Sequence, residues 1–280
     1  MDQSLNTPVA QDLPDLSSAY PLTGKQIESF RTHGHVLLRG VCSLEEVAAY
    51  RRVIVEASRN LNGEKRKIEE RDTYGKAFLQ TLNLRLQSEG VRKFVLSKRF
   101  GQIAAELMGV DGVRIFHEQS LFKEPGGGLT PWHQDQYYWP LEGLTTLGMW
   151  MPLVDCSEEM GVLKFASGTH REGFLGQNKI SDESQALYNK LIEDRQIPVA
   201  ATAMKAGDAT FHYGWTLHGA GPNRTDTMRE AMIVTMFADG MRVATPTNPS
   251  QEGDRVKYLG GRAPGELADS DLNTLLYQKP

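Results

Sequence analysis

The chain has 280 residues, 40% hydrophobic and 24% charged, with a net charge of −4 at pH 7 and a pI of about 6.0. That balance fits a globular protein, leaves no electrostatic footprint for DNA or RNA, and contains no apolar run near the roughly 20 residues of a membrane span. The polar N-terminus lacks the basic start and apolar stretch of a secretory signal, and two cysteines, Cys42 and Cys156, make no disulfide framework, so reduced thiols in a cytoplasmic protein are expected.

Residues 1 to about 20 are rich in Pro, Ser and Asp and read as a flexible N-terminal segment. LTGKQIESFRTHG then predicts a helix, with the capping-box spacing of Thr23 and Gln26 at its start and Gly34 at its stop. HVLLRGV, at 35–41, is short and apolar, hence a strand. SLEEVAAYRRVIVEASRNL predicts a second helix, opened by Ser43 and Glu46. Residues 63–76 carry many charges and predict an exposed connection, and two more helical segments are expected between Ala77 and Met108.

After Val110 the pattern changes to short apolar runs separated by Gly, Pro and Asn turns, from VRIFHEQSLFKEP to REAMIVTMFAD. This is the signature of a β-sandwich or jelly roll. The expected fold is therefore mainly β with flanking helices: a double-stranded β-helix of cupin-like type over about 110–240, behind N-terminal helices. Residues 21–280 form one domain. A polar insertion at about 171–196 interrupts the strands and reads as a lid over the substrate.

TPWHQDQYYWP, at 130–140, holds the sharpest signal. On a strand, residues two apart share a face, so His133 and Asp135 would point together, with Gln134 opposite. One imidazole and one carboxylate make two-thirds of a two-histidine, one-carboxylate metal triad. His218, before the turn GAGPNRTD, is the preferred third ligand, and His212 is its competitor. The strand after the turn would return beside the one carrying His218 and bring Arg229 near the metal. A buried arginine needs an anion, and a ligand carboxylate would supply one.

Together, the 21–50 stretch, TPWHQDQYYWP, GMWMPL, GVLKFASGTH, GDATFHYGWTLHGAGPN and the arginine eleven after the second histidine resemble the phytanoyl-CoA dioxygenase-like branch of the iron(II)/2-oxoglutarate oxygenases. The resemblance implies Fe(II) on His133, Asp135 and His218, with 2-oxoglutarate as cosubstrate and O2 as oxidant. It implies C–H oxidation, most simply hydroxylation, of a small molecule, with release of succinate and CO2. It further implies Arg229 on the distal carboxylate of 2-oxoglutarate and Trp150 beside it. Two departures stand out: Ser167 occupies a position often held by proline, and Ala220 a position where some relatives carry a serine that contacts 2-oxoglutarate. Asn83 is the candidate replacement donor.

Each residue also has a plainer reading. His133 and Asp135 could be a surface pair, Trp150 simply core, and Lys123 a solvated loop lysine. Alternation would put Tyr137 with the ligands and Tyr138 opposite. His117, His170 and His212 are supporting candidates without a defined role. The competing function is a cupin-type binding protein or isomerase that keeps a metal and needs no oxo-acid. No nucleic-acid or membrane partner is expected.

Overall fold

A computed structural model describes residues 12–176 and 179–280. Along the chain run α1 (Gly24–His33), β1 (His35–Leu38), α2 (Leu44–Leu61), α3 (Thr73–Ala77), β2 (Leu79–Leu82), α4 (Glu89–Val95), α5 (Lys98–Met108) and β3 (Gly112–Phe122). There follow β4 (Thr130–His133), β5 (Thr146–Pro152), β6 (Leu163–Ala166), α6 (Asp182–Asp194), β7 (Val199–Ala201), β8 (Ala209–Tyr213), β9 (His218–Ala220), β10 (Ala231–Ala238), α7 (Pro249–Tyr258) and β11 (Leu275–Gln278). No helix among the described residues is long and apolar enough to cross a membrane.

Both expected capping boxes form, and Gly34 ends α1 in the left-handed conformation at φ 82°. The strands make two antiparallel sheets. The larger has the order β1-β8-β5-β10-β3-β11, with β2 also pairing β3; the smaller has the order β4-β9-β6-β7. β5 and β10 show how the layers are sorted. Met149, Met151, Met232 and Val234 alternate onto one face and pack with Phe100, Ile103 and Leu107 of α5. Trp150 and Ile233 point the other way and cluster with Leu163 and Phe165 of the small sheet. Strands buried on both faces read as unbroken apolar runs, as REAMIVTMFAD does.

Four local expectations change. From Asp12 on, the N-terminal segment is packed: Leu13 and Leu16 are buried, and the Leu16 carbonyl accepts from Ser97 Oγ at 2.9 Å. Residues 1–11 lie outside the described part. Residues 79–82, expected to be helical, are β2, because β3 offers them a partner from Phe122 to Gln119. The charged 63–76 connection is not merely solvated: Arg71 is buried against the Glu124 carboxylate, and Asp72 and Tyr74 line the central cavity. Finally, β10 does not pair with β9. They belong to different sheets, so Arg229 reaches the site from across the sandwich, through an isolated bridge with Lys123.

The 171–196 stretch contains α6, which docks on β4. Trp132 donates its backbone N–H to Gln185 Oε1 at 3.0 Å and its indole N–H to Asn189 Oδ1 at 2.9 Å. Ser184 Oγ donates to the Trp132 carbonyl at 3.1 Å.

Candidate active site

His133 ends β4, and Asp135 lies in the single 3-10 turn that follows (residues 135–137). The pair meets because the chain turns, not because a strand continues. The His133 Nε2 to Asp135 Oδ1 distance is 3.5 Å, and that from His218 Nε2 to Asp135 Oδ2 is 3.7 Å. One donor atom from each of the three lies within 4.8 Å of the others. Ligands around one ion sit roughly 3 to 3.5 Å apart when bonds are near 2.1 Å, so small rotations close this set on a metal.

The strand backbone aims both imidazoles. Nδ1 of His133 lies 2.8 Å from the Pro131 carbonyl, and Nδ1 of His218 lies 2.9 Å from the Thr216 carbonyl. Only an N–H makes those contacts favourable, which leaves the lone pairs at Nε2, toward the centre. Burial, then neighbouring His133, holds His218 well below its ordinary pKa. Burial would raise the Asp135 pKa, but His218, His133 and His212 outweigh it and keep the carboxyl ionised. Both states suit metal binding.

His212, the rejected competitor, supports the carboxylate instead: its Nε2 lies 3.4 Å from Asp135 Oδ2, beneath the site and fully buried. Gly148 on the neighbouring strand makes room, since a Cβ there would come within 2.9 Å of the His212 ring. The even spacing of His212 and His218 carried no register information, because β8 stops at Tyr213 and β9 starts at His218. Gln134 ties in the surroundings. Its amide donates to the Gly173 and Trp215 carbonyls, and its oxygen accepts from Leu175 N–H. Ser167 hydrogen-bonds His35 Nε2 at 2.8 Å, and His170 contacts the Arg31 carbonyl at 3.2 Å; both are structural.

The triad opens into a cavity of about 450 Å³ between the sheets. At one end Arg229 is 1% exposed. Its Nη1 donates to the Gly161 carbonyl at 2.7 Å, its guanidinium lies 5.5 Å from the Trp150 ring centre, and its Nε has no partner among the described residues. Trp150 Nε1 is also buried and unpartnered, so this tryptophan is both core and cavity wall. Gly161 presents its carbonyl at φ +82°, where a Cβ would strike the Gly221 oxygen at 2.5 Å.

Lys123 overturns the solvated-loop reading. It is fully buried beside Arg229, and its Nζ donates to the Gly128 carbonyl and lies 3.3 Å from Thr130 Oγ1. The bridge to Arg229 and the side chain of Asn223, which donates to the Lys123 carbonyl at 3.1 Å, hold the backbone there. Burial, then the Arg229 charge, lowers the lysine pKa to about 6, and burial lowers that of Arg229 to about 10. Among the described residues neither cation has a carboxylate partner. A buried arginine with no carboxylate partner, a buried lysine that an anion would recharge, and two unpartnered donors, Arg229 Nε and Trp150 Nε1, fit a bound anion.

Two other expectations move. Asn83 does not line the cavity; it sits past the end of β2 at φ 55°, accepting from Arg85 Nη1 at 3.2 Å, while Arg85 pairs with buried Glu118. Tyr138 rather than Tyr137 faces the cavity, because the 3-10 turn breaks strand alternation. Thr130, unremarked in the sequence, lines the cavity directly across the β4–β9 ladder from Ala220.

The family model described as phytanoyl-CoA dioxygenase matches residues 30–231. The chain belongs to the phytanoyl-CoA dioxygenase family. Among similar proteins are a probable alpha-ketoglutarate-dependent hypophosphite dioxygenase of Stutzerimonas stutzeri, 23% identical over 54% of each chain, and a 2-aminoethylphosphonate dioxygenase of uncultured bacterium HF130_AEPn_1, 30% identical over 52% of this chain and 54% of that one. The chain spans about half the length of these relatives. The solved structure of the non-heme alpha ketoglutarate dependent carbocyclase SnoK from nogalamycin biosynthesis superposes with a TM-score of 0.75 at 24% identity, covering 92% of this chain and 99% of that one. The jelly-roll fold of this member of the family is thereby matched over most of the chain.

The Lys123 shift gives a pH prediction. The folded value is depressed, so the apo protein holds fewer protons than the unfolded chain between about pH 6 and the ordinary lysine value, and Lys123 makes apo stability rise with pH across that window. A bound dianion favours the charged lysine, so binding takes up a proton. Affinity for a dicarboxylate, with 2-oxoglutarate as the probe, should therefore fall as pH rises from 6 to 8, and Lys123→Met should flatten that slope. Calorimetric titration at several pH values checks it.

Proposed function

We propose that this protein is an Fe(II)- and 2-oxoglutarate-dependent dioxygenase that oxidises, most simply hydroxylates, a C–H bond of a small molecule. The observation that carries this reading is the adjacency of the His133–Asp135–His218 cluster and the anion-hungry pocket of Arg229 in one cavity. A cupin-type isomerase or binder has use for the first and none for the second.

In this reading His133, Asp135 and His218 hold the iron, and His212 steadies the carboxylate. Arg229 grips the distal carboxylate of 2-oxoglutarate through two parallel N–H donors. Thr130 replaces the hydroxyl lost at Ala220. With Lys123 donating to its oxygen, the threonine O–H is free to point at the same carboxylate. Trp150 walls this pocket and offers Nε1. Iron, 2-oxoglutarate and O2 together supply the oxidising power, with succinate and CO2 released. The residues place the partners and exclude water.

Asp135 also favours oxygen transfer. A halide-transferring centre needs a free position on the metal, and the carboxylate occupies that position and repels a second anion. Purified protein loaded with Fe(II) should form succinate from 2-oxoglutarate, and with a substrate should insert one labelled oxygen from O2. A halogenated product in excess bromide, or no succinate at all, would refute the reading.

The substrate would lie against Tyr138, under the 171–196 stretch. Ile180 supports this placement: it lines the cavity and its N–H donates to Tyr138 Oη at 3.0 Å. Substrate binding should slow hydrogen exchange in that stretch; unchanged exchange would remove the lid role. A cytoplasmic location agrees with two buried, unpaired cysteines.

A further inference from the structure

The cavity is lined by charges of both signs. Arg229, with Lys123 behind it, lines it, and so do the side chains of Asp72, Asp254 and Lys179. Asp254, on α7, forms no ion pair or hydrogen bond among the described residues. Three phenols surround it: Tyr74, Tyr138 and Tyr258 all line the cavity and all feel its charge. His117 is buried, packs 4.7 Å from the Tyr258 ring and leaves Nδ1 unpartnered.

Two nearby cations do not neutralise Asp254. Lys257 is exposed, with its ammonium 5.2 Å over the Tyr258 ring, and Lys179 lines the cavity with no carboxylate in ion-pair contact among the described residues. Burial, only partly offset by Lys257, raises the Asp254 pKa to about 7. A carboxyl group lodged among aromatic walls with no partner is costly as structure and useful as recognition. A cation would supply both the missing charge and a partner for the ring faces. An anionic substrate would meet repulsion here and would compete with the oxo-acid at the Arg229 end.

We propose that the substrate carries an alkylammonium group, held by the Asp254 carboxylate within the Tyr74, Tyr138 and Tyr258 walls while the rest of the molecule faces the triad. This rests on the oxygenase reading only for calling the occupant a substrate; the recognition itself is a property of the cavity.

The test is saturation-transfer NMR with three probes of one shape: phenethylamine, 2-phenylethanol and phenylacetate, at pH 8, against the wild-type protein and Asp254→Asn. The wild type should prefer the amine over the alcohol by about tenfold, the scale of a charge-assisted hydrogen bond, and should not bind phenylacetate. Asp254→Asn should bring the amine down to the level of the alcohol. Phenylacetate binding as well as the amine, no millimolar binding of the amine, or an amine preference that survives Asp254→Asn would overturn the proposal. The wild-type comparison decides the matter even if the variant folds poorly. A parallel thermal shift of the wild type with 2-oxoglutarate and Fe(II) reads the oxygenase assignment separately. Its failure would leave the amine result standing.

Discussion

Asp135→Ala should abolish both retained iron and 2-oxoglutarate turnover. The carboxylate is the one anionic donor in the set, and it lies between two imidazoles. Removing it leaves two imidazoles and a buried site without the negative charge that balances a divalent ion. Loss of residues that merely orient ligands costs roughly 10–100-fold in affinity, so loss of a ligand should exceed about 100-fold. His133→Ala and His218→Ala should behave alike, whereas His212→Ala should fall within that smaller range. Equilibrium dialysis against Fe(II), followed by metal analysis and a succinate assay, separates these cases. Iron retained stoichiometrically by Asp135→Ala would show that the metal is bound elsewhere.

The second large effect concerns Arg229, and its signs are opposite for stability and binding. An unpaired buried cation is a liability to the empty protein, so Arg229→Met should leave the apo melting temperature unchanged or higher. The same change removes the proposed charge partner of the cosubstrate. Truncating one member of a buried, hydrogen-bonded charge pair costs about 2–5 kcal/mol, so the 2-oxoglutarate dissociation constant should rise by roughly 30-fold or more. The stabilisation that 2-oxoglutarate gives the wild type should disappear with it. Arg229→Lys should fall between, because a lysine cannot make two parallel bonds. Iron affinity should hold in both variants. Scanning calorimetry with and without 2-oxoglutarate measures the two signs in one experiment. An unchanged cosubstrate increment in Arg229→Met would assign the anion to another group.

The fold and the centre of the site were legible for different reasons. Capping boxes announced α1 and α2 because they satisfy backbone groups locally, whatever surrounds them. The apolar runs of β5 and β10 announced themselves because both faces are buried. β2 was hidden, since LQTL has the composition of a helix end and becomes a strand only because β3 lies open beside it. His133 and Asp135 were found through an argument whose premise fails: the strand ends between them, and a 3-10 turn returns the carboxylate to the imidazole. The same turn reversed the places of Tyr137 and Tyr138. Lys123 was misread because burial of a lysine depends on partners distant in sequence, here Arg229 and Asn223. Thr130 and Asp254 gave no signal at all, one being an ordinary residue before a proline and the other part of a charged helix far along the chain.

The docking of α6 also decides how a lid deletion would have to be judged. β4 is an outer strand of the small sheet, the position where free N–H and C=O groups invite pairing with another molecule. Pro131 offers no N–H there, and the one on Trp132 is taken by the Gln185 side chain, while Ser184 occupies the Trp132 carbonyl. Side chains of a helix thus stand in for a neighbouring strand. A protein cut back to remove 179–196 would lose more than the proposed cover over a substrate: it would leave bare the edge of the strand that carries His133. Such a variant should self-associate, and its inactivity would report aggregation before it reported anything about catalysis.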